Sequence, residues 1–346
     1  VGHRRQLTAR ALHEALGPLA RAVAPGDGSL EVSLAAQEAG RTTAAPLLRD
    51  RAMRAHAVAA AADDGVGFVA FLDGVQESRV VAYVGTVPIV HGRTGAVIRA
   101  RVDRRLVTWG DGPRSDDALY LPMGGVPPAV IDALAATACP IVDTTDDTIG
   151  AEEAHPQQLL RRAVHLVQRE REAQEQALAV AWCRASGGAP LYLDGGLPPS
   201  EEVLAGGGAI GVIKSHHTLY ATGSALATVM SLGAGERSSI FVVETRWRAP
   251  VASWYLRLRA PGRRDPLWGL VRVEASLAAL NGVLARAAEG GSAPADDPDL
   301  AADRISQWVA AESAPLSLPD ARWDTMAYGI RDCEVYLRAA LGRLAT

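Results

Sequence analysis

Pro190-Leu191-Tyr192-Leu193-Asp194-Gly195-Gly196-Leu197 reads as a buried strand that ends on a carboxylate. The uncharged run suits a sheet interior, and the Gly pair breaks the strand where the acid emerges. Phe68-Val69-Ala70-Phe71-Leu72 runs into Asp73-Gly74 in the same way and continues as Val75-Gln76. Between the two lies residues 156–184, a stretch of helical spacing that carries Glu170, Glu172 and Glu175. Two strand-end aspartates with a helical glutamate between them in sequence form the acidic pattern of two-metal phosphodiester chemistry. In such sites hard oxygen ligands hold two Mg²⁺ or Mn²⁺ ions roughly 3.5–4 Å apart. An Asp before Gly is also a common turn residue, and that reading stands beside the catalytic one.

Outward from this core, strands are expected over 66–72, 78–90 and 94–103, with His91-Gly92-Arg93 as a turn. Residues 109–155, dense in Gly, Pro and Asp, read as an insertion with one short helix near 128–136. Past Asp194 come a short helix near 199–204 and a strand over 209–213 that leads into Lys214-Ser215-His216-His217. Strands over 239–246, 253–259 and 270–274 follow, then helices over 275–288, 300–311 and 320–344. Ahead of the core, apolar spacing predicts a helix over 5–23 that Gly17-Pro18 kinks or splits, and the Ala-rich stretch 52–62 also reads as helical. The expected fold class is therefore α/β: a mixed sheet flanked by helices, with an N-terminal helical extension over 1–64 and the main domain over 65–340.

Composition narrows the choice of function without deciding it. The 346 residues can bury a sizeable core, and 48% hydrophobic with 21% charged residues describes an ordinary globular chain. A net charge of −4 excludes a globally basic nucleic-acid binder but leaves room for a local cluster of Arg. Cys139, Cys183 and Cys333 fall in no metal-ligand spacing, so reduced thiols in a cytoplasm are expected and zinc is not. No apolar run reaches membrane-spanning length, and the first residues carry no signal-peptide pattern.

Helix geometry and strand alternation single out further residues. On a 100° wheel Glu170 falls near the centre of the apolar arc built by Leu159, Leu160, Ala163, Leu166, Val167 and Leu178, whereas Glu172 points away and Glu175 lies toward the edge. A glutamate on a core face needs a cation, so Glu170 is the expected helical ligand and Glu172 the reserve; a solvated charge run is the plain alternative. Lys214, at a strand end, could meet a phosphate as a point charge. Of His216 and His217, adjacent in an extended segment, only one can face a site. Alternation puts Tyr255, Arg257 and Arg259 on one face, a mixture that lines single-strand channels, although the same residues also suit the body of an antiparallel sheet. No phosphate loop or nucleophile elbow is present: Ile213 stands where a phosphate loop needs Gly before Lys.

The ordered pieces Leu72-Asp73-Gly74-Val75, Arg169-Glu170, Leu193-Asp194-Gly195-Gly196-Leu197 and Gly211-Val212-Ile213-Lys214-Ser215 are together similar to the ribonuclease H-like core of the NurA family of nucleases. Trp254-Tyr255-Leu256-Arg257-Leu258 and Val271-Arg272-Val273-Glu274 resemble that family's later strands, so the resemblance spans roughly residues 65–340. It implies a ribonuclease H-like, manganese-dependent DNA nuclease. Asp73, Glu170 and Asp194 would hold two ions, Lys214 would steady the scissile phosphate, and Gln76, His216, Tyr255, Arg257 and Arg259 would contact DNA. The family's last ligand, near the C-terminus, would fall on Asp320, which also suits a helix N-cap, with Asp324 next. A homodimer working with a HerA-type hexameric translocase in DNA end processing, repair or defence is implied as well. Val75 stands where the family has Ser, and that departure leaves a second expectation: a catalytically degenerate adaptor that binds DNA or the motor without cleaving.

Overall fold

In a computed structural model of the chain, residues 9–22, 40–59, 67–145, 155–281, 297–313 and 324–342 are described. The strands of three or more residues are β1 Ala55–Ala57, β2 Ala70–Val84, β3 Val87–Val102, β4 Arg105–Thr108, β5 Arg114–Leu121, β6 Ile141–Asp143, β7 Leu191–Asp194, β8 Ala209–Ile213, β9 Glu236–Ser238, β10 Phe241–Thr245, β11 Arg248–Arg257 and β12 Leu270–Ala275. The helices are α1 Ala9–Leu16, α2 Pro128–Ala135, α3 Pro156–Ala185, α4 Glu201–Ala205, α5 Gly223–Met230, α6 Pro298–Glu312 and α7 Tyr328–Leu341. This is a mixed α/β protein in which one large sheet runs β1-β9-β11-β12-β8-β7-β2-β3-β5-β6, with β10 beside β11 and β4 beside β3. Strand β7 pairs in parallel with both β2 and β8, while β3 is antiparallel to β2 and β5.

Alternation along β2 and β7 divides the core into two layers. Phe71 and Tyr192 face Trp308 of α6 and Ile330, Cys333 and Leu337 of α7. Leu72, Leu191 and Leu193 face Leu178, Ala179 and Trp182 of α3. Helix α3 is thirty residues long, starts on Pro156 with His155 as N-cap, and ends ahead of Gly187 and Gly188, both at positive φ. Its first half lies over Val90, Ala118 and Tyr120, and its second half over β2 and β7, so the helix crosses the sheet diagonally. Helix α7 sits directly on β2: the Phe71 ring leaves no room for a Cβ at Gly329, and Cys333 Sγ donates to the Phe71 carbonyl at 3.4 Å.

Several local expectations are corrected. His91-Gly92-Arg93 is not a turn: β2 and β3 form one long hairpin that turns at Gly85-Thr86, and the triplet lies inside β3. Gly92 is there because Val167 and Tyr120 fill the space a side chain would need. Asp73-Gly74 likewise lies within β2 rather than at its end. Residues 109–155 are no plain insertion, since β5 and β6 widen the sheet. Part of the expected helix over 52–62 is instead β1, an edge strand paired with β9; residues 60–62 lie outside the described residues. The N-terminal helix breaks at Gly17-Pro18 as expected, α1 giving way to a 3-10 turn at Gly17–Leu19, but Arg21–Ala22 beyond it is a short strand rather than helix; residues 5–8 and 23 lie outside the described residues. Among the described residues no helix is long and apolar enough to cross a membrane.

Candidate active site

The parallel register Leu72↔Leu193 brings Asp73 and Asp194 side by side. The two strands part there: β2 continues paired with β3, whereas β7 ends and Gly195 turns away at a φ of +130°. Lys214, one residue past β8, reaches back to pair with Asp194, Nζ to Oδ2 2.8 Å. Asp73 is buried, and its Oδ1 accepts the Gly74 N–H at 2.8 Å. Burial, reinforced by the neighbouring Asp194 carboxylate, pushes the Asp73 carboxyl well above its ordinary range, with Lys214 opposing. An ionised Asp73 therefore needs a cation close by.

Of the glutamates expected on α3, Glu175 rather than Glu170 comes near this pair, from the face of the sheet that Gly74 presents and Asp73 does not. Gly74 has no side chain, and Glu175 of α3 occupies the space a Cβ there would take. Arg171 ion-pairs with Glu175 one turn away and donates through Nε to Gln76 Oε1 at 2.9 Å. Burial lifts the Glu175 carboxyl to about 7 against the pull of Arg171. On the other face, which Asp73 shares with Phe71 and Val75, Glu334 of α7 adds a further negative charge to the field at Asp73 and pairs with Arg331 at 3.0 Å. Glu175, Asp194, Arg169, Arg171 and Leu197 border a cleft of about 510 Å³.

Other expected residues lie elsewhere. Glu170 faces the β5 side, where Gln174 donates to it at 3.3 Å and Arg114, Ser115 and Asp116 are its neighbours. The groove expected from Tyr255 and Arg257 is corrected, because both are fully buried. Arg257 is fully buried and donates four of its five N–H groups to the carbonyls of Met230, Leu232, Pro266 and Trp268, so it is not presented to a phosphate. Tyr255 Oη accepts the Tyr220 N–H, and half-buried Arg259 donates to the Ser313 carbonyl. The His216 ring bonds the Leu270 carbonyl at 2.9 Å, and burial lowers its pKa. Of the expected DNA contacts, Gln76 alone reaches the acidic site, through Arg171. Asp320 lies outside the described residues, and Asp324 is a buried acceptor for the Gly269 N–H.

The loop after Asp194 has its own anchor, which sequence reasoning missed. Glu274 of β12 accepts the Leu197 N–H at 3.0 Å, both of its oxygens meet Arg248 Nη2, and Arg272 pairs with it at 2.6 Å. Burial raises the Glu274 carboxyl, but Arg272 and Arg248 outweigh burial and hold it below the usual range. Glu274→Gln should cost about 1.5–3 kcal/mol of stability, since it weakens charge-assisted bonds in a buried site. Denaturant unfolding checks this, and the Asp194 loop should become the protein's new site of proteolytic nicking.

All three carboxylates offer hard oxygen ligands, and their crowding favours an added cation, so the residues fit a Mg²⁺- or Mn²⁺-class ion in chemistry. They do not close to within 4.8 Å of one another, and Lys214 and Arg171 already serve as cations for two of them. Set against known proteins, the chain matches no protein-family model and no curated protein.

Proposed function

We propose that this cleft hydrolyses phosphodiester bonds in DNA as a metal-dependent nuclease. The observation that carries the reading is the pair Asp73 and Asp194, adjacent on parallel strands, with half-buried Glu175 over the neighbouring Gly74. Support comes from the order β5-β3-β2-β7-β8, with only β3 antiparallel among the central three of β3, β2 and β7, as would be expected of a ribonuclease H-like core. Asp73 and Asp194 would hold the ions, with Glu175 adding negative charge from the α3 face; a divalent ion there would supply water activation and stabilisation of the leaving oxygen. Lys214, held on Asp194, places a positive charge where a phosphate enters, and Arg169 and Arg171 line the approach. The resemblance to NurA nucleases adds a HerA-type translocase and a homodimer to the proposal. The test is Mn²⁺ titration by calorimetry alongside cleavage of end-labelled DNA: wild type should bind and cleave, and Asp194→Asn should lose both.

A second reading has one observation in its favour. Because Lys214 and Arg171 already neutralise two of the acids, the site could be a relic in an adaptor that binds DNA or the motor without cleaving. Under that reading Asp194→Asn leaves Mn²⁺ affinity unchanged.

A further inference from the structure

Far along the hairpin from Asp73, His91, Asp117 and Cys139 bring a nitrogen, an oxygen and a sulfur to within 4.8 Å of one another. Among the described residues no other set of three His, Cys, Asp or Glu side chains is so close. The three come from separate elements: His91 from β3, Asp117 from β5 and Cys139 from the turn after α2. Gly92 faces α3, so His91 and Arg93 project from the opposite face of the sheet. His91 is buried while Asp117 and Cys139 are half-buried, which leaves the group one side open to solvent.

We propose that these side chains form a site for one Zn²⁺-class ion, distinct from the carboxylate cleft. A thiolate and a carboxylate cancel the charge of a divalent ion, and neutral imidazole completes a nitrogen, oxygen and sulfur set that favours zinc over manganese. Three protein ligands leave the fourth tetrahedral position for water. The outer contacts suit that role. Arg93 donates to Asp117 Oδ2 through Nε at 2.9 Å and Nη2 at 2.6 Å, which fixes the carboxylate and turns Oδ1 toward His91. Hydrogen-bonded ligands of this kind are typical of metal sites. Without metal the His91–Asp117 contact is direct, and the ion would replace its proton. Arg93 also donates to the Leu341 carbonyl at 3.0 Å, so the site is tied to the end of α7, the helix that carries Glu334 to Asp73.

The experiment strips the full chain with a chelator and titrates it with Co²⁺ alone. One equivalent should produce a thiolate-to-cobalt charge-transfer band with tetrahedral d–d absorption, and Zn²⁺ should displace it. Cys139→Ser should lose the charge-transfer band, whereas Cys183→Ser and the double variant Asp73→Asn/Asp194→Asn should keep it. Because the double variant lacks the cleft's acids, the outcome does not depend on nuclease activity. Arg93→Gln should weaken binding by about 10- to 100-fold, the effect of removing an outer-shell partner. A wild-type protein with no charge-transfer band, or a band that survives Cys139→Ser, overturns the proposal and leaves an ion-pair cluster beside a cysteine.

Discussion

Asp73→Asn is expected to bring Mn²⁺-dependent DNA cleavage down to assay background and, at the same time, to raise the melting temperature of the metal-free protein. Both effects follow from the same carboxylate. Asp73 is buried beside Asp194, and burial with that neighbour makes its charged form costly. An amide of the same shape keeps the oxygen that accepts the Gly74 N–H and drops the charge. The sign at neutral pH is thus stabilising. Asp194→Asn should behave differently, because it removes the partner of Lys214 and strands an ammonium. It should lose cleavage without gaining stability. Scanning fluorimetry in chelator and a cleavage assay in Mn²⁺ separate the two variants. Asp73→Asn that still cleaves, or that melts lower than wild type, removes Asp73 from the site.

Two strands near the site were legible because their signals are local. Leu191-Tyr192-Leu193 and Ala209-Ile210-Gly211-Val212-Ile213 are short apolar runs, the first between Pro190 and Asp194-Gly195 and the second between Gly208 and Lys214, and both appear as strands. Helix α3 was legible from its length and period, with ends within a residue of those expected. What failed depends on neighbours that sequence does not name. Gly74 and Gly92 looked like turn residues, yet each is a strand position emptied for a side chain of α3. Arg257 looked like a groove residue because alternation fixes a face but not whether that face is covered, and here it is capped by loop carbonyls. Glu274 and Glu334 could be read only as a strand residue and a helix residue, since their partners lie far away in sequence. The closeness of Cys139 to His91 and Asp117 was invisible in its spacing because those two stand on separate strands of the sheet.

The choice between Glu170 and Glu175 turned on one angle. Measured from the side chains that are buried, Leu159, Ala163, Val164, Val167, Gln174, Leu178, Ala179 and Trp182, the two glutamates sit about 70° to either side of the buried centre at 100° per residue. Apolar spacing alone moved that centre toward Glu170. Since α3 crosses the sheet diagonally, one flank meets β5 and the other meets β2 and β7. The flank over the aspartates belongs to Glu175.

Glu175→Gln should therefore separate stability from function as a function of pH, and Glu170→Gln should do neither. The Glu175 carboxyl rises from an ordinary 4.5 to about 7 on folding, chiefly through burial. Between those values the folded state holds a proton that the unfolded state has released. Stability from this group is fully present below about pH 4.5 and is lost as pH rises through about 7, by on the order of 3 kcal/mol. The side chain is 19% exposed, so solvent does not erase the effect. The glutamine variant cannot lose a proton, and its melting temperature in chelator should stay flatter between pH 5 and pH 8 than that of wild type. Mn²⁺ should restore wild-type stability at pH 8, where the carboxylate is free to bind it, and restore less at pH 5.5; in Glu175→Gln that gain should shrink at both. Cleavage should rise with pH toward a plateau above 7 in wild type and fall by about 100-fold in Glu175→Gln, the scale of losing one charge-stabilising group from an active site. Melting curves and initial rates across pH 5–9 read both quantities. If Glu170→Gln abolishes cleavage while Glu175→Gln keeps the wild-type pH slope, the acid over Gly74 is only a structural partner of Arg171.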